Sequence, residues 1–380
     1  MHAATHLAIL GRQPELGLIE LESVLGKGAV TAFGEHALVD TLPQLDRLGG
    51  TIKLGRIIAR LPRQRLDKLD LDRALLPRPA GKLTFAVSSY GLKLAPRELE
   101  AFGLGLKNQL KNERSVRLVL PKTGSNELTA AQLKFNHLPE SGFELLIAAN
   151  ERELVLALTE AVQDIDAYTA RDRERPARSA KVGMLPPKLA QILVNTTHSQ
   201  AIYDPFCGSG VILQEALLAG RRVYGSDLDP EMVEASRTNL EWLGEGVADL
   251  PPWEVDPGDV QTLKLPEGPL AIVSEGYLGP NLTSEPSREQ LGDLMPPLLE
   301  LYRQTLTNLA SQLPPGAEVS LCAPAWRLGK TWKPLPIVDE AGHLGYIRKD
   351  FETVTASQPI VYGRPGQHVG RALILLTKST

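Results

Sequence analysis

The sequence predicts an α/β protein in which a Rossmann-like, doubly wound C-terminal domain follows an α+β N-terminal region. Three observations carry this. From Ala201 onward, strand-like and helix-like segments alternate regularly, the pattern of a parallel sheet covered on both faces. The first of these strands runs into a glycine loop, DPFCGSG at 204–210, the usual device for bringing backbone close to a ligand. The charge also changes along the chain. Residues 51–150 carry 17 Lys+Arg against 9 Asp+Glu, whereas residues 201–380 carry 14 against 23. A basic half joined to an acidic half suggests that one part grips an anionic polymer while the other does chemistry.

The elements follow in order. THLAIL (5–10) reads as a first strand, and PELGLIELESVLG places Leu16, Ile19, Leu21 and Leu25 at helical spacing between glutamates. AVTAFGEHALVD and KLGRIIARL supply short strands. LTFAVSSYG, a polar helix around RELEAFGLGLKNQLKN, then SVRLVLP, FELLIAAN and ELVLALTEAV repeat the alternation, which suggests α+β modules. AYTARDRERPARSA is arginine-dense and nearly free of apolar residues. It reads as an exposed connector whose Arg171, Arg173, Arg175 and Arg178 have the forks to meet phosphates. Domain boundaries at 1–166, 167–182 and 183–380 follow. MLPPKLAQILVN starts a helix at its proline pair. VILQEALLAG is a helix closed by Gly220, EMVEASRTNLEWLG one ending at Gly244, and MPPLLELYRQTLTNLASQL one starting near Met295. LAIVSEG, AEVSLCAPAW and RALILLTK are the later strands.

Composition narrows the functional classes. Cys207 and Cys322 are far apart and give neither a disulfide framework nor metal-ligand spacing, and seven scattered histidines add no cluster, so no metal is expected. No apolar run reaches the roughly 18–20 residues that span a bilayer. The N-terminus lacks the basic start and apolar core of a signal peptide, so a cytoplasmic protein with no membrane partner is the expectation. Nothing in the sequence specifies an oligomer; a monomer is expected.

The strongest local signal joins the 204–210 loop to Asp227, seventeen residues beyond Gly210 at the tip of the next strand. A strand-tip acid at that distance is placed to hold ribose hydroxyls, so the pair points to an adenosine-containing ligand. A dinucleotide fingerprint wants a third glycine where Leu213 stands, and Asp204 at the head of the loop would repel a pyrophosphate. S-adenosylmethionine (SAM) carries no phosphate and an ammonium that Asp204 can accept, so the loop favours the methyl donor.

DPFCGSG followed by YGSDLDP resembles the cofactor half of THUMP-domain tRNA guanine-N2 methyltransferases. RPARSAKVGMLPPKLAQILVN resembles the lead-in segment of that family, and LAILGRQPELGLIELESVLG its N-terminus. The resemblance implies a class I SAM-dependent methyltransferase sheet of seven strands, antiparallel only at the last. It also implies a ferredoxin-like and THUMP-like RNA-binding region ahead of that sheet, and tRNA as partner. Carried across by position, Asp204, Pro205, Cys207, Gly208, Ser209 and Gly210 would line the methionine end of SAM. Asp227 would hold the ribose, Leu228 would pack on the adenine, and Asp259 with Val260 would read the adenine amine. The bottom-up alternatives are an Asx turn at Asp259 and a small buried residue at Cys207.

The chain departs from the family at the fourth strand. Relatives end it in Asp-Pro-Pro-Tyr or Asn-Pro-Pro-Tyr, where the first residue accepts from the target amine and the ring stacks on the base. Here the strand ends Ser274-Glu275-Gly276-Tyr277-Leu278-Gly279. Aligning the aromatics puts Ser274 at the acid position; aligning Ile272-Val273 and Gly279 puts Glu275 there. The second register is preferred, because a carboxylate accepts two amine hydrogens better than a hydroxyl. Tyr277 is then the stacking residue. Two basic segments, RLGKTWKPLP (327–336) and YGRPGQHVGR (362–371), are read as flanking phosphate contacts or solvated loops. The rival functions are an N6-adenine methyltransferase, a tRNA-binding protein with a decayed site, and a dinucleotide oxidoreductase.

Overall fold

The computed structural model describes residues 4–77, 81–112, 115–138, 140, 142–178, 184–268, 270–355 and 357–380. The chain divides into two compact units: residues 1–46 with 50–167, and residues 47–49 with 168–380.

In the first unit the order is β1 (His6–Leu10), α1 (Pro14–Leu25), β2 (Val30–Phe33), β3 (His36–Val39), β4 (Thr51–Pro62), β5 (Leu83–Tyr90), α2 (Pro96–Leu110), β6 (Val116–Val119), α3 (Ala130–Phe135), β7 (Gly142–Ala149) and β8 (Glu153–Val162). The α+β modules expected from sequence share one sheet, ordered β2-β3-β1-β4-β8-β7-β5-β6. The reason is β4, whose 12 residues pair with β1 at one end and with β8 along most of the strand, bulging twice on the way. The helical connections through α2 and α3 make β5 parallel to both β6 and β7 within this mainly antiparallel sheet. Lys53 is buried against Glu144 at 2.6 Å, and the Ser88 and Thr159 hydroxyls donate to the same carboxylate, each at 2.6 Å. That saturation is what makes a buried ion pair tolerable.

The chain continues through α4 (Ile165–Arg173), α5 (Pro187–Asn195), β9 (Ala201–Asp204), α6 (Val211–Leu218), β10 (Arg222–Asp227), α7 (Pro230–Gly246), β11 (Trp253–Pro257), β12 (Ala271–Glu275), α8 (Arg288–Ala310), β13 (Glu318–Leu328), β14 (Thr331–Pro334), α9 (Ile337–Glu340), β15 (Tyr346–Arg348), β16 (Val361–Tyr362) and β17 (Val369–Lys378). The main sheet runs β11-β10-β9-β12-β13-β17-β15. Its first five strands are parallel and β17 is antiparallel to both neighbours, as the resemblance implied for RALILLTK. Order reverses between β9 and β12, so the ligand crevice of this sheet lies at their carboxyl ends. The core beneath holds Trp326, Tyr302, Leu306, Leu309, Ile272 and Ile374.

Three local readings change. The segment 165–173 is helical and Arg175 is buried, while Arg173, Glu174, Pro176 and Arg178 are exposed, so the arginine-rich stretch is partly built into the fold; residues 179–183 lie outside the described residues. Helix α8 begins at Arg288, seven residues before the expected start. Ser287 and Gln290 form a capping box there, and Pro296 and Pro297 sit inside the helix. The two basic segments are no simple loops. β14 pairs with the end of β13 and β16 with the start of β17, which extends the sheet beyond its carboxyl edge. Lys330, Lys333 and Arg364 are exposed on that extension, and Arg327 stacks over Trp332 at 4.3 Å.

Candidate active site

Three neighbouring parallel strands, β12, β9 and β10, end in carboxylates: Glu275, Asp204 and Asp227. Asp204 is buried (1 % exposed). Its Oδ1 accepts from the Ser274 hydroxyl at 2.6 Å and from the Phe206 amide at 3.1 Å. Burial pushes its pKa up to about 8. Those two hydrogen bonds oppose the shift, and the charges of Asp227 and Glu275 add to it.

The sign of that shift makes a prediction. An unfolded Asp titrates near ~3.9, so between about pH 4 and pH 8 the folded state holds a proton that the unfolded state has lost. Stability therefore falls as pH rises through that window, and the loss is complete above about pH 8. Asp204→Asn removes the titration. Relative to the parent, its melting temperature should rise by several degrees between pH 5 and pH 8.5. A difference between the two proteins that stays constant with pH in thermal melts would refute the assignment.

The glycine loop turns twice through left-handed backbone, at Gly208 (φ 52°) and Gly210 (φ 83°), the second serving as N-cap of α6. A Cβ on Gly210 would stand 2.9 Å from Ser236 Oγ, which itself donates to the Gly208 carbonyl at 2.8 Å. The third glycine missing at Leu213 has a counterpart across the sheet. Leu213 Cδ1 would lie 2.7 Å from a Cβ on Gly225, so the close helix–strand contact is made with large and small residues exchanged. Pro205 and Cys207 are buried in the turn. The Cys207 thiol faces Ser236, and burial raises its pKa, so the small-residue reading fits its surroundings. Ser209 directs its carbonyl to Asn239 Nδ2 at 2.8 Å and its hydroxyl toward Arg175 at 3.5 Å.

Asp227 fastens the loop to β10. Its Oδ2 accepts from the Gly208 amide at 2.9 Å and its Oδ1 from the Asp229 amide at 3.0 Å. A carboxylate has roughly four lone-pair positions, so acceptor capacity remains for two hydroxyls. Leu228 follows with 76 % of its surface exposed, an apolar plate beside the acid. The Gly258 amide donates to the Asp227 carbonyl at 3.0 Å and brings Asp259 to the same rim. Asp259 Oδ1 is spent on the Gln261 amide at 2.9 Å, the Asx turn that sequence offered as its alternative. Val260 is buried, and its carbonyl accepts from Asn308 at 2.9 Å.

At the tip of β12 the two candidate acceptors separate. Ser274 is fully buried and committed to Asp204. The Glu275 side chain remains 21 % exposed and is ion-paired with Arg371, which is 3 % exposed on β17. Burial raises the Glu275 pKa on balance, and the Arg371 guanidinium opposes that rise by favouring the charged carboxylate. Tyr277 is half exposed (52 %), while its carbonyl accepts from the buried Tyr302 hydroxyl at 3.2 Å. Sequence reasoning missed Arg371 and Tyr302. Arg371 lay where the basic segment 362–371 runs into the strand RALILLTK, and neither reading gave it a carboxylate partner. Among the described residues no group of three His, Cys, Asp or Glu could hold a metal ion, and no helix is long and apolar enough to cross a membrane.

Parts of the chain resemble known proteins. Residues 175–323 match the family UPF0020, described as RMKL-like, methyltransferase domain. A stretch of 181 residues is 32 % identical to the tRNA (guanine(10)-N2)-dimethyltransferase of Methanothermobacter thermautotrophicus. That alignment covers 47 % of this chain and 49 % of the relative, so the match spans about half the relative's length. Among solved structures, TrmN from Thermus thermophilus superposes with a TM-score of 0.55 at 19 % identity, covering 98 % of this chain and 99 % of that one. SMU.472, solved as a complex with SAH, superposes at 0.51 with 12 % identity and 98 % coverage of each chain. These likenesses concern the fold alone, and the sheet of the second unit is that of class I methyltransferases. The glycine loop and the three strand-tip acids all lie within the segment 175–323 that matches the RMKL-like methyltransferase domain.

Proposed function

We propose that the protein is a SAM-dependent tRNA methyltransferase that transfers methyl to the exocyclic N2 amine of a guanosine. The observation that carries this reading is Glu275. It is a partly exposed carboxylate at the tip of β12, fixed by Arg371 and next to the strand whose loop would hold the methyl donor. The similarity to tRNA (guanine(10)-N2)-dimethyltransferases supports the choice of amine, and the THUMP-like resemblance with the basic charge of residues 51–150 supports tRNA.

The donor set fits SAM. Asp204 and the 207–210 backbone suit a zwitterionic methionine end, Asp227 suits ribose hydroxyls, and Leu228 suits an adenine face. SAM supplies an electrophilic methyl group on a sulfonium. The chain's own residues do the rest. Glu275 accepts N2–H hydrogen bonds, aligns the nitrogen lone pair, and takes the proton that the amine releases as its new N–C bond forms and the sulfur–methyl bond breaks to leave S-adenosylhomocysteine. Tyr277 stacks on the base once it leaves its helix. Lys330, Lys333 and Arg364 on the sheet extension meet phosphates beside the target.

Incubation with labelled SAM and unmodified tRNA, followed by nucleoside analysis, tests the reading. Label is expected in N2-methylguanosine or its dimethyl form. Label in N6-methyladenosine would instead support the adenine rival, and no label in any tRNA would leave a binding protein.

A further inference from the structure

Beside the glycine loop stands a buried cation that no described carboxylate pairs. Arg175 is 2 % exposed. Its Nη1 reaches the Ser209 hydroxyl at 3.5 Å, its Nη2 contacts the Met184 sulfur at 3.2 Å, and its Nε has no hydrogen-bond partner among the described residues. The nearby buried acid, Glu215, is already held by Arg171, with Nε–Oε1 at 2.6 Å and Nη2–Oε2 at 3.3 Å. Burial works against the charge on Arg175; Asp172 and Glu215 face it with the favourable sign and Arg178 with the unfavourable one. The adjoining residues outside the description, 179–183, read SAKVG and contain no carboxylate.

A guanidinium taken out of water without an anion is costly, so a site that keeps one is built to receive an anion. The position is fixed with care. Asn239 grips Ala177 through both amide and carbonyl, at 3.0 and 2.9 Å, and also holds the Ser209 carbonyl, which stitches the segment after Arg175 to the loop. The rim already carries Asp227 and Glu275, whose charges raise the Asp204 pKa, and this disfavours a phosphate and suits a single carboxylate that brings its own ammonium.

We propose that Arg175 and Ser209 form the carboxylate subsite for the amino-acid end of the ligand held by the 204–210 loop. This rests on the SAM reading above and adds to it the group that recognises the α-carboxylate. An Arg fork meeting a carboxylate makes charge-assisted hydrogen bonds that are shorter and stronger than neutral ones.

The test compares S-adenosylhomocysteine with its decarboxylated analogue, S-adenosyl-3-thiopropylamine, by calorimetry on the full chain. The parent should bind the carboxylate-bearing ligand roughly 10- to 100-fold more tightly. In Arg175→Gln that preference should collapse to within a few-fold, while affinity for the amine analogue stays unchanged. Arg175→Lys, which keeps the charge and loses the fork, should fall between. A variant that retains the full preference overturns the subsite, as does a parent that binds both ligands equally; the latter needs no variant to fold. A parent that binds neither ligand overturns the SAM reading itself, which separates the two failures.

Discussion

Glu275→Gln is expected to lower single-turnover methyl transfer to tRNA by about 10²- to 10⁴-fold, the range of a lost positioned acid or base. Affinity for S-adenosylhomocysteine should change less than twofold. The substitution keeps the size of the side chain but removes the negative charge that Arg371 supports. It also turns one of the two acceptor oxygens into a donor that faces an amine. Ser274→Ala should behave differently. The Ser274 hydroxyl is fully buried and donates to Asp204, so its loss leaves Asp204 with one hydrogen bond fewer and weakens ligand binding more than turnover. If the serine variant alone abolishes transfer while the ligand still binds, the amine acceptor is Ser274 and the register at the strand tip shifts by one residue. Arg371→Gln gives a third reading of the same point. It leaves Glu275 half-buried without its cation, which raises the carboxyl pKa, so the rate should recover as pH rises.

What could be read from sequence was local. Strand, loop and helix at 201–220 announce themselves through β-branched residues, glycines and an apolar helix within twenty residues, and Asp227 lies one strand away. The parallel, doubly wound sheet followed from that alternation, and its class I order from the family resemblance. What sequence hid depends on long separations. Arg371 meets Glu275 across 96 residues, and the Ser274–Asp204 bond spans 70. Arg175 was hidden by its company. A run of arginines with almost no apolar residue looks solvated, yet its neighbour Arg171 pairs with the buried Glu215 and Tyr168 supplies the apolar anchor. The start of α8 was hidden by Pro296-Pro297, which resembles a helix start more than a helix interior, while the Ser287–Gln290 box carried the true signal. At Leu213 the expected glycine was absent, but the small residue it stood for sits opposite at Gly225. One sequence position could not show that exchange.

Gly276→Ala should be the most damaging single-methyl change in this loop. Gly276 has no left-handed backbone to explain it, so its requirement is space: an added Cβ would stand 2.3 Å from Tyr302 Oη and 2.8 Å from Cζ. The ring cannot withdraw easily. Tyr302 is fully buried, and its one hydroxyl hydrogen is shared between the carbonyls of Cys322 at 3.1 Å and Tyr277 at 3.2 Å. The Gly276 amide donates to the same Cys322 carbonyl at 3.0 Å. The loop must therefore lift and take Glu275 and Tyr277 with it. Overpacking of this kind costs roughly 1–3 kcal/mol in stability, and displacing reacting groups by about 1 Å costs on the order of 10²-fold in turnover. The glycine loop and Asp227 are untouched, so affinity for S-adenosylhomocysteine should hold. Tyr302→Phe removes the nearest atom but leaves Cζ in place, so the double variant should recover part of the lost stability and rate. Unfolding and single-turnover measurements on the two single variants and the double variant close this cycle. A coupling of zero would mean that the contact between these two residues does not set the loop, because residues that share a clash do not add independently.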